Sequence, residues 1–439
     1  MNEKRAVVHM DMDTFFVSVE RLRDNRLAHR PLIIGGTGGR GVVASCSYET
    51  RTFGVRSGMP MKLARRLCPA ATIISGDHEQ YSRYSDMVTA IVREDAPVFE
   101  KASIDEFYVD MTGMERFQGA YHWAGALRAR VMLETGLPLS FGLATNKTVA
   151  KVATGEIKPN GQVEIPRGDE QGFLDPLVVR KLPMVGEKTA NFLSNMGVRR
   201  VKMLREIPQE FLKRIMGKPG MTLWQRARGI DNRPVTPYNE RKSLSAERTF
   251  REDTIDMVGL RATLTQMTER LAFSLRKGQK LTACITVKLR YADFNTVTRQ
   301  ARIPYNSSDH HLSGKALELF AQLYDRRQRV RLLGVRFSHL ISGGYQINLF
   351  EDTEKQIRLY KAIDKIKFRF GADAVMRGSA LGGLGRERKG AQAPEPRRSP
   401  ESGRLPSISE QEIRSNPREM PERIPDGKLW EAPPEIPRS

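Results

Sequence analysis

Two short runs rich in apolar and β-branched residues end at or begin with carboxylates: residues 6–12 (AVVHMDM) and residues 105–111 (DEFYVDM). Both have strand character, and they lie far apart in the chain. A fold that unites them must pair strands non-locally and cover the resulting sheet with helices. The second run reads as one arm of a hairpin, with PVFEK (97–101) as the other arm and a turn near residues 102–104. Apolar spacing predicts helices starting at FFVSVERLR (15–23) and at 60–67, 77–93 and 120–134, and a strand at LPLSFGLA (137–144). Residues 32–60 are rich in glycine (GGTGGRGVVAS) and read as loop-dominated. This order of elements implies an α+β domain with helices on one face of the sheet.

The chain has 439 residues, room for two to four domains. Residues 167–236 read as short helices separated by turn residues. Residues 241–340 return to α+β, with strands LTACITVKLRYA and VRLLGVRFSHL flanking helices. In residues 351–370, Ile357, Tyr360, Ile363, Ile366 and Phe370 recur at three- and four-residue spacing as one apolar helix stripe. From about residue 383 the sequence is rich in Pro, Arg, Glu and Ser without apolar periodicity, the composition of a disordered tail. No internal repeat is evident.

The net charge of +21 is unevenly placed. Residues 1–140 carry 18 Lys/Arg against 17 Asp/Glu, whereas residues 241–340 carry 19 against 9. A polyanion held by the middle of the chain explains this distribution, as does a merely solvated basic surface. The three cysteines, Cys46, Cys68 and Cys284, are odd in number and widely spaced, which excludes a disulfide framework and a cysteine-based zinc site. No apolar run approaches the roughly 18 residues of a membrane span, and no secretory signal is visible. A reducing cytoplasm fits.

Asp11 ends one strand, and Asp105 and Glu106 follow a hairpin turn. Carboxylates at adjacent strand ends can converge on hard cations, which prefer oxygen ligands. Two such ions, about 3.5–4 Å apart, suit an in-line displacement at phosphorus. Neighbouring strand residues face opposite ways, so for Asp105 and Glu106 to share a site the strand must be distorted or the metal must sit at the hairpin end. Taken singly, each carboxylate reads more readily as a cap or a surface charge. Asp13 directly precedes a helix, reads as its N-cap, and is left out of the metal set.

HMDMDTFFVSVE and ASIDEFYVDMTG together resemble the two acidic motifs of Y-family DNA polymerases, in the bacterial DNA polymerase IV branch. SYETRTFGVRSGMP resembles that family's finger motif, and NKTVAKVATGEIKPNG its palm segment. The resemblance covers residues 5–342. It implies a right-handed polymerase: palm at 1–13 and 78–166, small fingers at 14–77, a helical thumb at 167–236 and an α+β little finger at 241–342. A clamp-binding peptide with an amphipathic helix (343–382) and the tail (383–439) follow. It further implies low-fidelity, translesion synthesis on primer–template DNA from dNTPs, by a monomer with no membrane association. Asp11, Asp105 and Glu106 would ligate two Mg2+ ions, helped by the Met12 carbonyl.

The same resemblance assigns Tyr48, Arg51 and Lys158 to the triphosphate, donors whose chemistry suits it. Main-chain amides at Phe15 and Phe16 open a helix and add donors, while the Phe15 ring reads as core. Phe16 matches the steric gate against a ribose hydroxyl, and Ala44 the small roof over the nascent base pair. LPMVGEKTANFLSNMGV resembles a helix–hairpin–helix, except that Met184 stands where glycine is usual; a plain helix pair is the alternative. KSLSAERTF resembles the first strand of the little finger. Gln346, Ile347, Leu349 and Phe350 (QINLF) resemble a sliding-clamp peptide, though a final core strand is the competing reading, and here more chain follows. The related polymerase V catalytic branch, a non-catalytic homologue that binds DNA and clamp, and a plain basic DNA-binding protein are the alternatives. The presence of all three carboxylates counts against the non-catalytic one.

Overall fold

The computed structural model describes residues 5–114, 119–237, 240–324, 327–343 and 353–383. The QINLF segment and nearly all of the expected disordered tail lie outside these residues. Along the first part of the chain come β1 (Val7–Met12), α1 (Phe15–Arg23), β2 (Leu32–Gly35), β3 (Val43–Cys46), α2 (Tyr48–Thr52), α3 (Met61–Leu67), β4 (Thr72–Ile74), α4 (His78–Asp95), β5 (Val98–Lys101), β6 (Glu106–Asp110), α5 (Ala120–Thr135), β7 (Leu139–Ala144), α6 (Lys147–Glu156) and β8 (Gln162–Glu164).

One sheet has the order β5-β6-β1-β7-β8, with β1 antiparallel to both β6 and β7. Strand alternation sorts β1 between two faces. Val8, Met10 and Met12 enter the core formed with Val88 and Val92 of α4 and Leu127 and Val131 of α5. His9 turns the other way and meets Thr154 of α6. Helices therefore cover both faces, which corrects the expectation of one covered face. It also explains why every residue of β7 is buried. Helix α4 begins where Asp77 accepts hydrogen bonds from the amides of Glu79 and Gln80. Helix α6 begins where Asn146 accepts from Val149 N. Gly142 permits the close seat of α6: a Cβ there would lie 2.7 Å from Ala150 O and 2.8 Å from Thr154 N.

Residues 32–60 are more ordered than their glycines suggest. Strands β2 and β3 pair antiparallel, β2 pairs parallel with β4, and α2 and α3 pack beside them around Ile33, Val43, Cys46, Val55 and Met61. Two of the glycines serve close backbone approach. A Cβ on Gly35 would meet Val42 O at 2.3 Å, and one on Gly41 would meet Gly36 O at 1.8 Å.

Five short helices follow: α7 (Glu170–Leu174), α8 (Glu187–Asn195), α9 (Val201–Glu206), α10 (Gln209–Met216) and α11 (Lys218–Ala227). They share a core with α6. Then come β9 (Ser243–Thr254), α12 (Met257–Lys277), β10 (Lys280–Tyr291), β11 (Thr296–Asn306), α13 (Asp309–Leu323) and β12 (Val330–Ser342), in an antiparallel sheet of order β11-β10-β12-β9. Ile285, Val287 and Leu289 of β10 pack under α12 and α13, while Thr286, Lys288 and Arg290 alternate onto the open face.

Helix α14 (Thr353–Phe370) docks on this unit, but not by the whole apolar stripe read from its sequence. Tyr360, Asp364 and Lys367 are its buried positions, whereas Ile366 and Phe370 are exposed. The reason is a buried cation. The Arg276 guanidinium of α12 donates to both carboxylate oxygens of Asp364 at 2.7 and 2.8 Å, to Asp309 Oδ1 at 2.6 Å and to Ser307 O at 2.9 Å. The Tyr360 hydroxyl meets Ser308 Oγ and accepts from His310 N. Satisfying Arg276 and this hydroxyl sets the rotation of α14 and leaves part of the apolar stripe outside.

Candidate active site

Asp11 and Glu106 are directly opposite each other in the β1–β6 ladder, so their carboxylates leave the same face of the sheet. His9, two residues before Asp11, shares that face. One ligand atom each from His9, Asp11 and Glu106 falls within 4.8 Å of the others. Asp105 lies in the turn before β6, where strand alternation no longer applies. Its carbonyl accepts from Met12 N at 3.0 Å, which fixes the hairpin end beside the end of β1. Its carboxylate accepts from the Ser103 hydroxyl and is not among the clustered atoms.

Two ammonium groups sit on the clustered carboxylates. Lys158 donates to Asp11 Oδ1 and lies 3.4 Å from Met12 O. Lys151 of α6 donates to Glu106 Oε1 at 2.5 Å. Burial pushes the Asp11 carboxyl up to about 6, against the attraction of Lys158. Contact with His9, and then the Lys151 ammonium against burial, hold Glu106 down to about 2. Burial lowers His9 to about 4, so its ring is neutral at pH 7. Two carboxylates and the Met12 carbonyl offer the oxygen donors that a hard divalent cation prefers, and Asp105 stands at the adjoining hairpin end.

Asp13 is not the N-cap expected of it. Thr14 occupies that position, at φ 42°, and makes no side-chain cap. Asp13 is buried and accepts from Ser140 Oγ at 2.8 Å and Asn160 N at 2.6 Å. Donors from β7 and from the loop after α6 occupy its oxygens, so it ties that loop, and Lys158 with it, to the end of β1.

The groups assigned to a triphosphate gather at the same place. The Tyr48 hydroxyl reaches Asp13 Oδ1 at 3.5 Å, and the Arg51 guanidinium lies over the Tyr48 ring at 4.8 Å. Arg51 Nε is buried without a hydrogen-bond partner, a donor left over for an anion. Phe15 is buried in the core, as its ring was read. Phe16 stacks on Tyr81, with ring centroids 4.2 Å apart and planes at 12°, and meets His78 edge-on. Phe16 and Ala44 line one cavity of about 270 Å³ with Val42, Ser75, His78 and Tyr81.

Sequence reasoning missed His9, Lys151 and Tyr81. His9 carried a usable signal, since it shares strand parity with Asp11. Lys147 and Lys151, four residues apart, mark a basic helix face, and both meet carboxylates: Lys147 pairs with Glu100 and Lys151 with Glu106. At the suspected hairpin, Met184 takes φ 75°, the backbone region that favours glycine, and Gly186 precedes α8. Met184 thus takes up a backbone conformation that a glycine would adopt more readily. On the open face of the last sheet, Arg336 of β12 lies between Thr286 of β10 and Ser245 of β9.

Family comparisons agree with this geometry. Residues 10–155 match the impB/mucB/samB family, residues 241–349 its C-terminal domain, and residues 180–231 the thumb domain of DNA polymerase-iota. The chain is 39% identical over 378 residues to DNA polymerase IV of Dehalococcoides mccartyi, covering 85% of this chain and 97% of that one. It is 39% identical over 341 residues to DNA polymerase IV of Halorhodospira halophila, covering 76% and 95%. Among solved structures it resembles the Y-family DNA polymerase chimera Dbh-Dpo4(243-245)-Dbh, with a TM-score of 0.69, 26% identity, and coverage of 76% of this chain and 99% of that one. With its acidic strand ends, its helical thumb and its basic α+β region, the chain belongs to the Y family of DNA polymerases, in the DNA polymerase IV branch, and is a DNA-directed DNA polymerase.

Proposed function

We propose that this polymerase carries out low-fidelity translesion synthesis, transferring a nucleotide from a dNTP to a primer 3′-hydroxyl with release of pyrophosphate. The observation that carries the reading is the cross-strand placement of Asp11 and Glu106 on one sheet face. With Asp105 and the Met12 carbonyl they form the ligand set for two Mg2+ ions. Such ions, when bound, stabilise charge on the attacking and leaving oxygens. The chain's own groups do the rest. Tyr48, Arg51 and Lys158 bind and orient the triphosphate. The uncapped start of α1 turns the amides of Phe15 and Phe16 toward anionic oxygen. Ala44, exposed on β3, touches little of the base pair, which weakens shape checking. The decisive test is extension of a primer on undamaged and abasic templates with and without Mg2+. A purified chain that extends neither template with Mg2+ present sinks the proposal.

The domain assignment goes with it: palm at 1–13 and 78–166, fingers at 14–77, thumb at 167–236 and little finger at 241–342. We place the enzyme in the cytoplasm as a monomer. No described helix is long and apolar enough to cross a membrane.

The gate reading makes a quantitative prediction. Phe16→Ala removes the ring that stacks on Tyr81 and lines the nucleotide cavity. Ribonucleotide insertion should then rise by orders of magnitude while deoxynucleotide insertion changes little, measured as the ratio of kcat/KM values. An unchanged ratio rejects Phe16 as the gate.

DNA grip is assigned to the open basic face. Phosphate contacts hold DNA without reading its sequence, as an enzyme acting at any site requires. Replacing Lys288, Arg290, Arg302 and Arg336 with Gln should make the slope of log affinity against log salt shallower by roughly 3 to 4 units. An unchanged slope moves the contact elsewhere.

The partner reading rests on QINLF. We assign Gln346, Ile347, Leu349 and Phe350 to a sliding clamp, which holds the enzyme near the primer end by raising its effective concentration. Changing Gln346, Leu349 and Phe350 together to Ala should preserve extension on bare primer–template and remove stimulation by a loaded clamp. A triple variant that is inactive without any clamp makes the segment part of the core.

A further inference from the structure

The lysine on Glu106 has no part in the chemistry assigned above. Lys151 reaches the carboxylate because α6 lies close on the sheet, over Gly142, and because α6 presents Lys147 and Lys151 on one face. Glu106 needs a counter-charge. Its second oxygen lies 3.9 Å from His9 Nε2, which makes no hydrogen bond. Asp11, directly across the ladder, is another carboxylate. Lys158 is already committed to Asp11 and lies 3.6 Å from Asp13. Of these groups, Lys151 is the one in hydrogen-bond contact with Glu106.

We propose that Lys151 is a positioning residue that serves as a resident cation: it holds Glu106 in place before metal binds, and it gives up that oxygen to an arriving divalent ion. Its side chain is 34% exposed, so the ammonium has water to move into when displaced. A buried lysine in the same place would be trapped. Without Lys151, Glu106 and Asp11 would face each other with a single ammonium between them until metal arrived. The metal-free protein would then lose stability that a divalent ion restores. This inference rests on the metal-binding reading of Asp11 and Glu106.

The test uses the full chain without DNA or nucleotide, and Mn2+ as the probe. Thermal unfolding is followed with and without Mn2+, and free Mn2+ is measured by electron paramagnetic resonance. Lys151→Met should unfold at lower temperature than wild type without metal. Mn2+ should close that gap and should bind the variant severalfold more tightly. Lys151→Arg, which keeps the charge, should behave as wild type. Lys181→Met breaks an ordinary lysine–carboxylate pair with Glu156 at 2.8 Å and should show no rescue by Mn2+. Equal Mn2+ effects on wild type and Lys151→Met overturn the inference. So does a loss of stability that Mn2+ leaves unrepaired, which marks a packing role. Glu106→Gln separates this inference from the reading beneath it. If that variant loses Mn2+ binding while Lys151→Met matches wild type, only the role of Lys151 falls. If Mn2+ binding is indifferent to Glu106, the metal site falls as well.

Discussion

Glu106→Gln should abolish primer extension while leaving DNA affinity nearly unchanged. The substitution keeps the shape of the side chain and removes the charge that faces Asp11 across the ladder. Loss of one anionic ligand from a two-metal centre should cost several kcal/mol of transition-state stabilisation, which is about a thousandfold or more in rate. Asp105→Asn should do the same, although the Asp105 carboxylate accepts from the Ser103 hydroxyl. The two variants compare a carboxylate at the hairpin end with one in the β1–β6 ladder. Single-turnover extension measures the loss, and fluorescence anisotropy with labelled primer–template measures DNA binding. Near-normal extension by either variant removes that residue from the metal set. Parallel loss of DNA affinity would mean that the hairpin end, rather than the charge, had been damaged.

The second large effect lies far from the chemistry. Arg276→Met should destabilise the C-terminal unit by about 3–5 kcal/mol, because it leaves two buried carboxylates without their cation. Burial opposes the charge on Arg276, yet Asp364 and Asp309 hold its pKa well above the ordinary value. The expected signature is a lower denaturant midpoint, together with faster hydrogen exchange in α12 and α14. The combined variant Arg276→Met, Asp309→Asn, Asp364→Asn should recover part of the loss, since no uncompensated charge remains. A single variant as stable as wild type would show that the ion pairs are incidental to the docking of α14.

The first sheet and its helices were legible because burial imposes a simple period on them. AVVHMDM and DEFYVDM alternate, and the helices at 77–93 and 120–134 repeat at helical spacing. Strands β2 and β3 were hidden because each has only four residues, set among glycines that serve backbone contact instead of loops. Strand β11 was missed for another reason: it is a sheet-edge strand, largely polar and exposed, and it contains Pro304. The resemblance pointed to Asp11 and Glu106, but their alignment depends on the β1–β6 register. Asp13 was misread because a carboxylate before a helix looks like a cap, whereas its partners, Ser140 and Asn160, come from distant segments. Lys151 required knowing how closely α6 approaches the sheet, a distance that no local pattern encodes. In α14 the apolar period was real, but a polar contact from another helix chose which part of it was buried.

The contact at Gly142 has a meaning for error tolerance. The spacing between α6 and the sheet is set at Gly142 by the backbone of Ala150 and Thr154 and the small side chain of Ala153. Thr154, Lys151 and, through the loop that follows, Lys158 all take their positions from that single plane of contact. Variation at the outer positions of α6 leaves this reference surface untouched, so those positions are free to drift. One methyl group at residue 142 would instead displace every group that α6 delivers, in the same direction at once. A shift of about 1 Å is enough to cost about a hundredfold in a positioned reaction. The accuracy of the whole constellation thus hangs on the absence of a side chain at one residue that touches none of the reacting atoms.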